Sequence, residues 1–209
     1  MILGTWNGAS ILALPANPGF KSVEFGMNDT VAANRSPFTG RTQVQVWPGA
    51  DFWDASIALP QMDAAAAARW TAFLGECRGM TNVFYLFDPL RRHPLGSAAG
   101  APLVSGVNPA MATVLHTKGW TPNAAGVLLA GDQCQVGVRL LRVLNTVNAD
   151  GNGNASIDIW PSIREATADG DAITLTNPKG LFRLAENRRS VLGSETRLSG
   201  VSLKAVEAR

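Results

Sequence analysis

Two histidines, two cysteines and one turn rich in Asn and Asp are the residues of this 209-residue chain that could carry chemistry. His93 or His116 could serve as base for Ser97 or Cys134, because an imidazole within hydrogen-bond reach turns a hydroxyl or thiol into a nucleophile. Neither histidine lies in a Gly-x-Ser-x-Gly elbow or a Cys-His signature, and both fall in a loop-rich stretch. Asn148, Asp150, Asn152 and Gly153 match the first half of a calcium loop, but Ile159 stands where the closing bidentate Glu is required. A hairpin turn made of residues that tolerate left-handed backbone accounts for the same letters. Gly151-Asn152-Gly153 precedes no helix and so is no phosphate or dinucleotide cradle. Cys77 and Cys134 lack a second Cys or a His at ligand spacing and form no disulfide framework. The expectation is a protein with no catalytic, cofactor or metal residues, and not an enzyme.

The elements around these residues read as a scaffold. Gln43, Val44, Gln45, Val46 and Trp47 alternate polar with apolar, the period of a half-buried strand. Pro48-Gly49-Ala50-Asp51 is a turn, since Pro fixes φ and Gly accepts positive φ. Phe52 to Leu59, ended by Pro60, is a second strand, and the two together predict an antiparallel hairpin. Asp63 can cap a helix over Ala64–Cys77, in which Trp70, Phe73, Leu74 and Cys77 make one apolar stripe. Gly79 stops it. Residues Val83 to Phe87 are apolar on both faces, as in a strand covered on both sides.

Beyond Pro89 the chain becomes rich in Pro, Gly, Ala and Ser from Leu90 to Asn123, which reads as a long loop ordered by a partner. Gly126 to Leu184 holds five or six short strand patterns separated by Gly/Asp turns, which argues for a small barrel. Val201 to Glu207 alternates again and is expected to return to the N-terminal sheet, making the barrel an insertion. The fold class expected is mainly β: a β-sandwich hub with one packed helix over 1–125 and 186–209, and an inserted small β-barrel over 126–185.

Length suffices for one compact domain or two small ones. The formal charge of +2 is spread along the chain, so no specific nucleic-acid binding is expected. Arg91-Arg92 and Arg188-Arg189 are the adjacent basic pairs, either partner contacts or solvated loop charge. The first twenty residues lack a basic start and are interrupted by Pro15 and Pro18, unlike a signal peptide. No run approaches the roughly 20 apolar residues that span a bilayer, so no membrane partner is expected.

The succession SPFTG, a Gln/Val strand, a Trp strand, LPQMD, an Ala-rich helix carrying a Trp, Arg-Gly, an aromatic strand and Asp-Pro resembles the distal tail protein family of long-tailed bacteriophages and prophages. The resemblance is strongest over Ser36–Pro89 and returns over Gly126–Leu184. It implies a virion protein of the tail tip, assembled in the bacterial cytoplasm, where free thiols persist. It also implies a hexameric ring that joins the tail tube protein to the tail-tip hub and tape-measure-associated proteins and leaves a lumen for DNA. A cyclic ring needs two different patches per subunit.

Six tryptophans stand against a single tyrosine, and Trp serves both cores and interface hot spots. Trp70 is expected in the core. Trp47 and Trp53, flanking the predicted hairpin turn, divide between core and subunit contact; with Phe52, Arg91 and Arg92 they form the expected subunit interface. The rival reading is a surface-glycan-binding adhesin built on the barrel, with a tail-tube or tail-completion role as a further alternative.

Overall fold

A computed structural model describes residues 1–188, 192–193 and 199–209. In chain order the strands are β1 (Ile2–Trp6), β2 (Ala9–Leu12), β3 (Ser22–Asn28), β4 (Val31–Arg35), β5 (Thr42–Val46) and β6 (Phe52–Ala58). Helix α1 (Ala64–Glu76) is followed by β7 (Val83–Leu86), β8 (Gly100–Val104), β9 (Val114–Trp120), β10 (Gln133–Val136), β11 (Arg139–Val143) and β12 (Ala155–Trp160). The chain ends with β13 (Ile173–Thr174), β14 (Gly180–Leu184), β15 (Leu192–Gly193), β16 (Ser199–Gly200) and β17 (Ser202–Glu207). The protein is mainly β with one helix.

Two compact units share the chain. The first comprises Met1–Gly26, Trp53–Leu90 and Lys179–Arg209, and the second Met27–Phe52 and Arg91–Pro178. The first is built on a seven-stranded sheet in the order β1-β2-β7-β14-β17-β6-β3, in which β2 and β7 run parallel. As expected for a strand that follows an inserted module, β17 returns to this sheet and pairs with β6 on one side and β14 on the other.

Helix α1 forms where its cap and stripe place it. Asp63 accepts a 2.8 Å hydrogen bond from the Ala66 amide, satisfying a first-turn donor. Trp70, Phe73 and Leu74 are buried. Phe73 meets Phe84 of β7 edge to face with centroids 5.5 Å apart, so the helix stripe packs on the sheet. At the C-terminal end the backbone turns left-handed first at Arg78, φ +47°, directly after the Cys77 cap, and Gly79 at φ +68° continues the turn that ends the helix.

The second unit contains a six-stranded sheet, β13-β10-β11-β12-β9-β8. Its end strands approach each other through the antiparallel bridge Leu103–Ala172 and the Val104 N–H to Asp171 carbonyl bond of 2.9 Å, so the sheet curls into a nearly closed barrel. Along β12, Ala155, Ile157 and Ile159 point into the core while Ser156 and Asp158 face out. Arg139, almost wholly buried on β11, forms an ion pair with the exposed Glu165 at 2.5 Å. Hydrogen bonding from Arg139 holds the Glu165 carboxyl below its ordinary value. A carboxyl depressed in the folded state stabilises above its unfolded pKa, and that contribution disappears as pH falls through the folded value. Glu165→Gln is therefore expected to lower stability slightly at neutral pH, by well under about 1 kcal/mol for so exposed a partner, read as a small drop in melting temperature. The difference from wild type closes in acid; a gap that widens there would contradict this.

Four expectations are corrected. β5 does not pair with β6; its partner is β4, with Val31 opposite Val46 and Ala33 opposite Val44. The stretch 90–123 is not a continuous loop, because it supplies β8 and β9. These belong to the barrel, so the module begins near Arg91 rather than at residue 126. At the other boundary, β14 leaves the barrel and pairs with β7 and β17 in the first sheet.

Candidate interaction surface

The regrouped strands make a free-standing hairpin arm in the second unit. Opposed residues of an antiparallel pair share a face, so β4 and β5 have one apolar face of Val31, Ala33, Val44 and Val46 and one polar face of Ala32, Asn34, Gln43 and Gln45. In a compact domain such alternation buries the valines. Here they stay open: Val31 is 46%, Val44 58% and Val46 63% exposed.

The turn over Ser36–Arg41 is tied by local bonds. The Gly40 amide donates to the Ser36 carbonyl at 3.0 Å, the Ser36 amide to the Arg41 carbonyl at 2.9 Å, and Arg35 Nε to the Gly40 carbonyl at 3.3 Å. Phe38 sits on this closed turn, 96% exposed.

A lone two-stranded ribbon is at best marginally stable in water. This one is anchored at its base. Trp160 Nε1 donates to Asp29 Oδ1 at 2.7 Å on the side leading to β4. On the side leaving β5, the Ser162 hydroxyl donates to Asp51 Oδ1 at 2.7 Å and accepts from the Gly49 amide at 2.9 Å. Arg164 donates to the Gly49 carbonyl at 2.5 Å and also to that of Asp51. Thr30 closes the base by donating to the Ala50 carbonyl at 2.9 Å. The Pro48-Gly49 turn forms as expected, with Gly49 at φ +80°, but it fixes an arm to the barrel instead of joining β5 to β6.

The five expected interface residues separate. Trp53 is fully buried in the first unit: its ring meets Phe25 edge to face at 5.8 Å, and its amide donates to Glu207 Oε2 at 3.2 Å. It is a core residue and presents nothing to a partner. Phe52 is half-buried, whereas Trp47 is 43% exposed at the foot of the arm. Arg91 is half-buried and Arg92 exposed, with its carbonyl accepting from the Asn177 amide at 2.6 Å. Arg188 is exposed and Arg189 lies outside the described residues. Asp29, Asp51, Ser162 and Arg164 escaped the sequence reading because their partners lie more than a hundred residues away.

The chemistry-bearing residues do not assemble as the sequence pairs them. Ser97 donates to the Gly126 carbonyl at 3.4 Å, and Cys134 is buried in the barrel core. Burial, with the charge of Asp132 adding, pushes the Cys134 thiol up to about 12. Since the thiolate is the reactive form, and Cys77 is buried too, neither cysteine is expected to react with a thiol reagent at pH 8 until the protein unfolds. Rapid labelling of the native chain would contradict this.

His116 meets a different hydroxyl: its Nδ1 lies 3.0 Å from Ser156 Oγ, across the β9–β12 pair. The two residues line an open hollow of about 490 Å³ with Ser105, Asn148, Asp150 and Asn154. Asp150 accepts 2.8 Å bonds from the amides of Asn152 and Asn154, which lower its pKa, and Asn148 accepts from the Gly126 amide at 2.7 Å. Oxygens suited to calcium thus serve the turn itself. Among the described residues, no group of three His, Cys, Asp or Glu could hold a metal, and no helix is long and apolar enough to cross a membrane.

Compared with known proteins, the chain matches no family model and no curated protein.

Proposed function

We propose that this chain is a structural subunit of a bacteriophage tail, a distal tail protein that assembles into a ring between tail tube and tail tip and leaves a lumen for DNA. The observation that carries the proposal is the arm. It is anchored at its base, closed at its tip, and open along a row of valines that a monomer leaves in water. Burying that row requires another molecule, and a ring provides one for every subunit. The two strands also match each other in pattern, Val31 opposite Val46 and Asn34 opposite Gln43, with an alanine opposite Val44 and another opposite Gln45. The free edge of β5 in one copy can therefore meet the free edge of β4 in the next while both faces remain continuous.

Such a role is passive: shape, symmetry and an opening. Six copies would match the tube in the family that the sequence resembles. Light scattering over a range of concentrations, with and without a tail tube protein, tests the proposal. A ring of fixed stoichiometry supports it, and a chain that stays monomeric and binds no tail component ends it.

A second reading, a glycan-binding module, is favoured by the polar hollow at His116 and Ser156, whose imidazole, amide, hydroxyl and carboxylate groups suit sugar hydroxyls. Saturable binding of host-surface glycan by a monomer would favour it over the ring.

A further inference from the structure

We infer that the arms of neighbouring copies join edge to edge, β5 of one antiparallel to β4 of the next, through backbone hydrogen bonds that the arm alone leaves unmade. This rests on the ring reading and extends it to the groups that form the junction. The Ser36 amide donates to the Arg41 carbonyl at 2.9 Å and the Trp47 amide to the Thr30 carbonyl at 3.3 Å. In the register of the arm these bonds fix the alternation. Ala32 with Gln45 and Asn34 with Gln43 are the hydrogen-bonded pairs, whereas Val31 with Val46, Ala33 with Val44 and Arg35 with Thr42 are the non-bonded ones. The amides and carbonyls of those six residues therefore point away from the arm, three residues to each edge. Among the described residues neither strand has a second neighbour.

The ends of the two large sheets are blunted against such pairing. In the first sheet β1 breaks register between Ile2 and Gly4, and β3 carries the exposed Glu24. In the barrel the two ends of the sheet close on each other through the Leu103–Ala172 bridge, and β8 also breaks register and holds Pro102. Strands β4 and β5 have no break, no proline and, apart from Arg35 at one end, no charge. A second copy offers the matching edge with the same alternation of side chains, so both faces continue across the junction. Because the two edges differ, the contact is head-to-tail and uses both edges of every arm.

Proline removes an N–H and is tolerated in a strand where that N–H faces away from the ladder. Ala33→Pro blocks the β4 edge and Val44→Pro the β5 edge, while neither removes a bond within the arm. Each variant by itself is expected to keep the wild-type melting temperature and to lose self-association by at least about tenfold. Ala33→Val, which keeps the amide, is expected to assemble as wild type does. An equal mixture of the two proline variants has one intact β5 edge to meet one intact β4 edge, and light scattering is expected to show pairs and nothing larger. Such pairs also show that the arms remain folded. If Ala33→Pro assembles like wild type, or if the mixture associates no more than its components while wild type assembles, edge pairing is overturned and the ring stands. Pairs formed by either proline variant alone place like edge against like edge and overturn the head-to-tail junction. A wild-type chain that remains monomeric at every concentration overturns both.

Discussion

Replacing Val44 and Val46 together by Asp is expected to leave this protein folded and to abolish the self-association proposed for it. Both valines lie on the open face of the arm, at 58% and 63% exposure, so the isolated chain loses only a minor part of the burial of a core valine. The lower strand propensity of Asp costs at most about 1 kcal/mol per site. Assembly pays far more, because the substitution places two unpaired carboxylates where the proposed contact has only apolar neighbours. A buried, unpaired charge costs roughly 2–5 kcal/mol at an interface, which corresponds to a loss of about a hundredfold or more in association. Light scattering and a thermal melt on the same sample separate the two effects. Unchanged assembly would show that the valine face is not covered by a partner. Gln43 and Gln45 provide the control: their substitution by Asp alters the opposite face and is expected to weaken assembly less.

The largest loss of stability is expected from Trp53→Ala. The indole is fully buried beside Phe25, which in turn meets Phe182 at 5.9 Å, so the three rings link β6, β3 and β14. Truncating a buried Trp costs about 3–5 kcal/mol through lost transfer energy and the cavity left behind. Against a typical total of about 5–15 kcal/mol, that is enough to populate unfolded chains at moderate temperature. Trp47→Ala, at the exposed foot of the arm, is expected to change stability by about 0.5 kcal/mol or less and to act on assembly instead. Chemical denaturation of both variants checks the contrast. If Trp53→Ala unfolds at the same denaturant concentration as wild type, the core assignment is wrong.

Features set by neighbouring residues were legible in the sequence. The Asp63 cap, the Trp70-Phe73-Leu74 stripe, the Gly79 stop and the Pro48-Gly49 turn each depend on residues within a few positions. Strand pairing depends on distant ones. The alternation in Gln43-Val44-Gln45-Val46 gives the two faces of β5, but nothing in those letters distinguishes β4 from β6 as its partner. β8 escaped for another reason, since Gly100 and Pro102 disguise it. Pro is tolerated because β8 ends the sheet order. Gly100 is needed because a Cβ there would lie 2.5 Å from the Gly119 carbonyl oxygen. Residues that weaken a strand pattern are here the ones that let two backbones approach. The arm was half legible: its apolar face could be read, but its exposure in the single chain could not.

The position of β17 also bears on synthesis. It lies between β14 and β6, so the ribbon formed by β6 and β3 has no place in the first sheet until residues 202–207 have left the ribosome. The six barrel strands, all within residues 100–174, are complete long before. Because domains generally fold as units while the chain emerges, the barrel can be in place while its sister sheet still waits for its last strand. Translation itself then sets the order of events: the barrel forms first, and the first sheet closes only when β17 emerges.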